Sequence, residues 1–319
     1  MGNYLLNVVV CTYNPNLDYI VCCLRSLKLA SQKYSNFKID FSIVDNNSTN
    51  GVLESPVVKD IIENLGATIY CELNQGLTHA RLNGIKNTKG DYIVFIDDDN
   101  VVKEDYFEVG FDIIRKHDFI GAFSGSVEIV YDDPILAQRT MKYHGLLVKR
   151  EIQRDLWSNI YFNNETMPCG AGLWIKRDVA NHYLRIEEKR NQIISFDRIG
   201  KDDLSSGGDN DLAMTALDLG YGMGLFSKLE VFHLVPEHRT KLDYLLKLAA
   251  GIEYSSVLLK FIRIGLIPKL TLKFYIRTVV SYFLSRKQER EFQMAVFKGR
   301  KRAISKIKQI SCDENFSDC

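Results

Sequence analysis

The stretch Tyr92-Ile93-Val94-Phe95-Ile96-Asp97-Asp98-Asp99-Asn100 decides the fold. Its first five residues are apolar and read as a strand buried on both faces, and three successive carboxylates stop it. Adjacent carboxylates repel one another and are costly at a buried strand end unless a cation or solvent compensates. In an extended chain the side chains of 97 and 99 point the same way. That spacing suits two oxygen donors to one hard divalent ion that also grips a diphosphate. A solvated acidic turn is the plain alternative.

Upstream, the same alternation repeats. Leu5 to Cys11 reads as a strand ended by Asn14-Pro15-Asn16, and Leu17 to Ala30 as a helix with Ile20, Cys23, Leu24 and Leu27 at helical spacing. Ile39 to Val44 is a second strand, Val57 to Leu65 a helix, Ala67 to Cys71 a strand and Leu77 to Asn87 a helix. Alternating units of this kind predict an α/β fold with a mostly parallel sheet and helices on both faces. Ligands bind beyond the carboxyl ends of the strands in such sheets. Thr12-Tyr13-Asn14, Asp45-Asn46-Asn47 and Asp97-Asp98-Asp99 all fall at those ends.

Downstream the pattern loosens. Tyr106 to Lys116 reads as helix, Phe119 to Val130 as strand and residues 131–165 as irregular. A strand-like run begins at Gly170-Ala171-Gly172, a helix spans Asp209 to Leu219, and a short strand spans Leu229 to Leu234.

The 319 residues carry 41 Lys+Arg against 40 Asp+Glu and are 46% hydrophobic, which excludes disordered, collagenous and disulfide-scaffold classes. Seven cysteines, an odd number with no C-x-x-C pair, and a first segment without a charged signal region predict a reducing cytoplasmic setting. The balance conceals a split. Residues 1–259 hold 27 basic and 35 acidic side chains, whereas 260–310 hold 14 and 2.

Three further clusters can carry chemistry. In Asn74-Gln75-Gly76-Leu77-Thr78-His79-Ala80-Arg81, the loop turns into a helix whose first turns include Arg81, where a guanidinium can meet a phosphate. Ser205-Ser206-Gly207-Gly208-Asp209-Asn210-Asp211 puts acids in a first helical turn, as caps or, for Asp209, as a general base toward a substrate hydroxyl. His233, at a strand end, is a metal ligand or a satisfied core group.

In order, VVVCTYNPN, VDNNST, NQGLTHARLNG, FIDDDN, PCGAGLWIKRDV, GGDNDL and HLVPEHR resemble the successive motifs of the family 2 glycosyltransferases with the GT-A fold, over residues 5–240. The resemblance implies an inverting, metal-dependent, hexosyltransferase-like enzyme. It would move a sugar from a nucleotide-sugar, UDP being the commonest donor nucleotide, to a hydroxyl of a saccharide or lipid-linked acceptor in cell-surface polysaccharide synthesis. It further implies that Thr12, Asn14 and Asn74 line the nucleotide pocket, that Asp45 meets the base, and that Arg81 lies beside the diphosphate. Asp97 and Asp99, with His233, would bind Mn2+ or Mg2+, and Asp98 or Asp97 would face the ribose. Gly170, Ala171 and Gly172 would border donor sugar and acceptor, and Asp209 would be the base. Gly208 stands where the family usually has Glu, and Arg239 resembles a basic position common in its loop. Residues 1–100 are expected to form the nucleotide-sugar half of the domain, 101–242 its acceptor and catalytic half, 243–310 a basic amphipathic helical extension, and 311–319 a flexible tail.

The rival readings are a sugar nucleotidyltransferase, which wants a Gly-rich, Lys-containing loop where Cys11-Thr12-Tyr13-Asn14-Pro15 stands, and a non-catalytic nucleotide-sugar-binding protein on a decayed transferase fold. From Leu245 the chain is apolar and basic, and its longest uncharged run is too short to span a bilayer. Pro268 separates two helical candidates; the second has Lys269, Lys273 and Arg277 on one stripe beside Leu272, Ile276, Val279, Val280 and Phe283. Packing on the catalytic domain, peripheral contact of 260–310 with the inner face of the cell membrane, and a protein partner are the three readings of this region. No nucleic-acid motif accompanies the basic residues.

Overall fold

The computed structural model describes residues 4–33, 37–190, 196, 204–268, 282–283 and 285–312. The chain divides into two compact units, Met1–Glu188 with Gly208–Glu237 and Lys189–Gly207 with His238–Cys319. In the first unit the elements run β1 (Leu5–Thr12), α1 (Leu17–Lys33), β2 (Lys38–Asp45), α2 (Pro56–Leu65), β3 (Thr68–Cys71), α3 (Leu77–Asn87), β4 (Tyr92–Asp97), β5 (Asn100–Val102) and α4 (Tyr106–Lys116). There follow β6 (Ile120–Tyr131), α5 (Pro134–Thr140), a 3₁₀ turn at Met141–Tyr143, β7 (Leu156–Ser158), β8 (Leu173–Lys176), α6 (Arg177–Arg190), α7 (Gly208–Asp218) and β9 (Gly222–Val235).

One sheet runs in the order β3-β2-β1-β4-β8-β6-β9-β5, with β7 on β9. The strands from β3 to β4 are parallel, as the alternating units of the sequence require. β8 joins antiparallel between β4 and β6, β6 and β9 form a second parallel pair, and β5 and β7 attach to β9 antiparallel. β1 is buried along almost its whole length, consistent with helices on both faces. α1 turns Ile20, Cys23, Leu24 and Leu27 inward, the stripe its spacing predicts.

Aromatic packing supports the far half of the sheet. Trp174 on β8 stacks on Phe123 of β6 with ring centroids 5.4 Å apart, and Phe107 and Phe111 of α4 meet its edge. Each such buried side chain is worth about 1.5–3 kcal/mol relative to exposure. The indole N–H has a partner, as a buried donor must: it donates to the Tyr106 hydroxyl at 3.1 Å, which is also 3.1 Å from the Gly172 carbonyl.

Two expectations are corrected. Residues 131–165 contain α5, the 3₁₀ turn and β7, elements too short to leave a periodic signal. β9 begins at Gly222, well before Leu229, because a register shift opposite Gly125 and Ser126 divides its pairing with β6 into two stretches.

In the second unit α8 (Leu242–Ile264) packs along α9 (Lys287–Cys312). Gly299 approaches the Ala250 backbone, Arg300 donates to Glu253 at 2.6 Å, and the Arg302 guanidinium lies 4.1 Å from the Tyr254 ring centre. These contacts advance in the same sense along both helices, which therefore run parallel. The predicted stripe over 269–281 lies outside the described residues. Among the described residues no helix is long and apolar enough to cross a membrane.

Candidate active site

Every candidate residue from Thr12 to His233 belongs to the first unit, and most sit at the carboxyl ends of β1, β2 and β4 or on loops beside them. The Thr12 hydroxyl donates to Asp98 Oδ2, joining the ends of β1 and β4. Asn14 adopts a left-handed backbone with φ of 48° and draws in the loop after β2: its Oδ1 accepts from the Thr49 N–H at 2.7 Å and the Asn50 N–H at 3.1 Å. Asp45 accepts from the Ser48 N–H at 3.0 Å within that loop. Asn74 is exposed, and its carbonyl accepts from the Asn46 amide at 2.7 Å. Asn46, to which the sequence assigns no individual role, is 4% exposed and also accepts from the Gly76 N–H at 2.7 Å. A buried amide with both ends bonded to backbone fixes the loop leading into α3. The only hint of it in the sequence is its place in the polar run after a buried strand.

The three aspartates diverge. β4 ends at Asp97, and Asp98 and Asp99 form a turn into β5, so strand alternation does not relate 97 to 99. The turn arises because β5 pairs antiparallel with β9, with Asn100 opposite His233. Asp99 thereby comes beside the imidazole, its Oδ2 3.5 Å from His233 Nε2, and is 7% exposed. Asp97 instead meets Arg81, Oδ1 to Nη2 3.7 Å. Burial pushes the Asp97 carboxyl above the usual carboxylate range; Arg81 pulls it back, and the charge of Asp99 adds to the rise.

Arg81 is 4% exposed and lies over the Phe95 ring. Burial works against its charge, but Asp97 and Asp209 outweigh that and hold its pKa above the usual value. Its Nε is buried without a hydrogen-bond partner. Asp209 opens α7, and its Oδ2 accepts the Gly170 N–H at 2.9 Å while Oδ1 accepts the Asn210 N–H at 2.9 Å. A Cβ at Gly170 would stand 2.7 Å from Arg81 Nη2 and 3.1 Å from Asp209 Oδ2. Arg81 thus contacts the end of β4 and lies within the electrostatic reach of the start of α7.

Ala171 packs with Val127 and Cys169, and Gly172 leads into β8. A Cβ at Gly208 would lie 2.7 Å from Thr78 Oγ1, so the hydroxyl of α3 occupies the space beside the backbone where the resembled family has a longer side chain. Arg239 falls in the 3₁₀ turn Glu237–Thr240.

Asp99 and His233 are two candidate donors that face one another. His233 Nδ1 lies 3.2 Å from the Leu147 carbonyl, a bond only a protonated Nδ1 can make. Nε2, the other ring nitrogen, faces Asp99 Oδ2. Among the described residues, no three His, Cys, Asp or Glu side chains gather as a complete metal cage.

The family model described as Glycosyl transferase family 2 matches residues 7–184. Glycosyltransferase GlyA of Streptococcus pneumoniae serotype 4 (strain ATCC BAA-334 / TIGR4) is 34% identical over 104 residues, 32% of this chain and 14% of its own length. Glycosyltransferase GlyG of the same strain is 31% identical over 114 residues, 36% of each chain. The matched stretches therefore span well under half of either relative. Among solved structures, mannosyltransferase PcManGT from Pyrobaculum calidifontis, in complex with GDP-Man and Mn2+, is similar at a TM-score of 0.57 and 15% identity, covering 95% of this chain and 88% of its own. S. aureus TarS 1–349 in complex with UDP is similar at 0.51 and 15%, covering 96% and 89%.

Proposed function

The chain belongs to glycosyl transferase family 2 and has the GT-A fold, and from that premise we propose that it is an inverting enzyme that moves a sugar from a nucleoside diphosphate sugar, UDP favoured, to an acceptor hydroxyl. The observation that carries this reading is the Arg81 linkage. The carboxylate at the end of β4 meets a buried guanidinium whose charge the carboxylate at the start of α7 also stabilises, and Gly170 lies beside both. This proximity supports a donor-side and an acceptor-side acid acting together, as single displacement at an anomeric carbon requires.

The contacts support the following roles. The loops after β1 and β2, tied through Asn14, and the Asn46-braced loop before α3 line the nucleotide side, with Thr12, Asp45 and Asn74 among their polar groups. Asp98, held by Thr12, would face the ribose. Asp99 and His233 would hold Mn2+ or Mg2+, Asp97 being turned to Arg81, and the remaining ligand positions would suit diphosphate oxygens. When bound, such an ion supplies positive charge against the departing diphosphate. Asp209 removes the proton from the acceptor hydroxyl; its two backbone N–H bonds fix the carboxylate and leave lone pairs free to do so. Gly170, Ala171 and Gly172 border the sugar, where a side chain at 170 would intrude. A saccharide or lipid-linked acceptor in cell-surface polysaccharide synthesis is the setting this reading favours.

The test is incubation of purified protein with UDP-, GDP- and dTDP-sugars, Mn2+ and simple saccharide acceptors. Nucleotide release and the anomeric configuration of the product are followed by NMR. Acceptor-dependent release with inversion supports the proposal. Retention of configuration overturns the mechanism, and tight donor binding without turnover under any condition supports the binding-protein alternative.

A further inference from the structure

The second unit contains a cavity of about 520 Å³ between the N-terminal halves of α8 and α9. Its floor is apolar, formed by Leu246 and Ala250 of α8 and Met294 and Ala295 of α9, while Lys287 and Lys298 stand at its rim. Both lysines are exposed and neither has an ion-pair partner among the described residues. Arg290 also lines the cavity but is committed to the chain: its Nε donates to the Ser285 carbonyl at 2.8 Å and its guanidinium lies over Tyr282. One carboxylate, Glu291, accompanies these cations.

Two features beside the cavity point to what fills it. Phe283, adjacent to the lining Tyr282, is 69% exposed, and Met294 is 38% exposed, so large apolar side chains face water next to unpaired lysines. Along its length α9 carries eight basic residues and two acidic ones. An apolar floor, an ammonium rim and a projecting aromatic match an anionic amphiphile, whose phosphate meets the rim while its chain covers the floor. A soluble anion would leave the floor and Phe283 in water, and an uncharged apolar ligand would leave the lysines unmatched.

We infer that the cleft between α8 and α9 is a binding site for anionic phospholipid at a bilayer surface, with Lys287 and Lys298 on the headgroup phosphate and Phe283 entering the interface. The inference goes beyond sugar transfer and does not depend on it, because the contacts lie wholly within the second unit and binding is measured without turnover.

The test is sedimentation of the full chain with vesicles of equal parts phosphatidylglycerol and phosphatidylcholine, and with phosphatidylcholine alone. Binding is expected to the first only and to weaken as salt is raised. Lys287→Glu with Lys298→Glu lowers the partition by at least about tenfold. Phe283→Ser lowers it severalfold at unchanged charge. Lys306→Glu with Lys308→Glu, the same charge change farther along α9, lowers it much less. Equal losses in both double variants, or no loss in the first, overturn the inference, since binding would then follow net charge or another surface. Milder Lys287→Gln with Lys298→Gln repeats the test should the reversals perturb folding. Inorganic phosphate at matched ionic strength separates the sources: if it displaces the protein from vesicles beyond the effect of chloride, the cleft is a free-anion site and the bilayer assignment fails.

Discussion

The backbone N–H of Gly170 donates to Asp209 Oδ2 at 2.9 Å, and the space where a side chain at 170 would begin is 2.7 Å from Arg81 Nη2. Gly170→Ala must displace the guanidinium, the carboxylate or both. A misplacement of about 1 Å at a reacting group can cost on the order of 10²-fold in rate. We expect kcat to fall at least about tenfold while donor affinity, measured by calorimetry, changes little. An unchanged kcat would separate Gly170 from the chemistry.

Asp209→Asn keeps the shape and the acceptor oxygen but removes the basicity. Transfer is expected to fall about 10²- to 10⁴-fold, the usual contribution of a positioned general base. Donor binding and the melting temperature are expected to hold. Near-normal transfer by a folded variant would exclude Asp209 as the base.

Chelation is expected to stop transfer, and Mn2+ or Mg2+ to restore it. His233→Gln and Asp99→Asn are each expected to weaken Mn2+ binding, followed by electron paramagnetic resonance with nucleotide present, by about tenfold or more. Full activity in excess EDTA would remove Asp99 and His233 from a metal role.

Tyr106→Phe deletes the hydroxyl that accepts from the Trp174 indole and lies against the Gly172 carbonyl. Both groups are then buried without that partner. Destabilisation of about 1–3 kcal/mol is expected in urea unfolding. A smaller effect would mean that neighbouring groups take over these bonds.

Thiol chemistry has a sign that can be checked. Burial pushes the Cys11 thiol up to about 12, although Arg81 draws it down, and burial also raises Cys23 and Cys169. A raised thiol pKa lowers the reactive thiolate fraction at every pH below it; for Cys11 at pH 8 the fraction is on the order of 10⁻⁴. Iodoacetamide is expected to label the exposed Cys22 and Cys71 and to spare Cys11, Cys23 and Cys169 until denaturant is added. Peptide mapping by mass spectrometry reads the result, and raising the pH from 7 to 9 is not expected to expose Cys11.

The element order through β4, and α4 beyond it, was legible because each strand there is a compact apolar run and each helix repeats its apolar residues at helical spacing. β5, α6, β7 and the first half of β9 were not. Three residues carry no period, and Gly222 and Gly224 supply no apolar side chain to mark a strand. The polar clusters at the strand ends were equally legible, since a buried strand that stops on acids or amides announces itself in one dimension.

By itself, the sequence determined that Asp97, Asp98 and Asp99 follow a buried strand and that Asp209 opens a helix, because both facts depend on local polarity and periodicity. Only the tertiary structure decided their partners: Thr12 for Asp98, His233 for Asp99, Arg81 for Asp97 and Gly170 for Asp209. The physical reason is that these pairings follow from the turn that sends β5 back along β9 and from the packing of α3 and α7 beside the sheet. Those are long-range contacts whose distances no local pattern encodes.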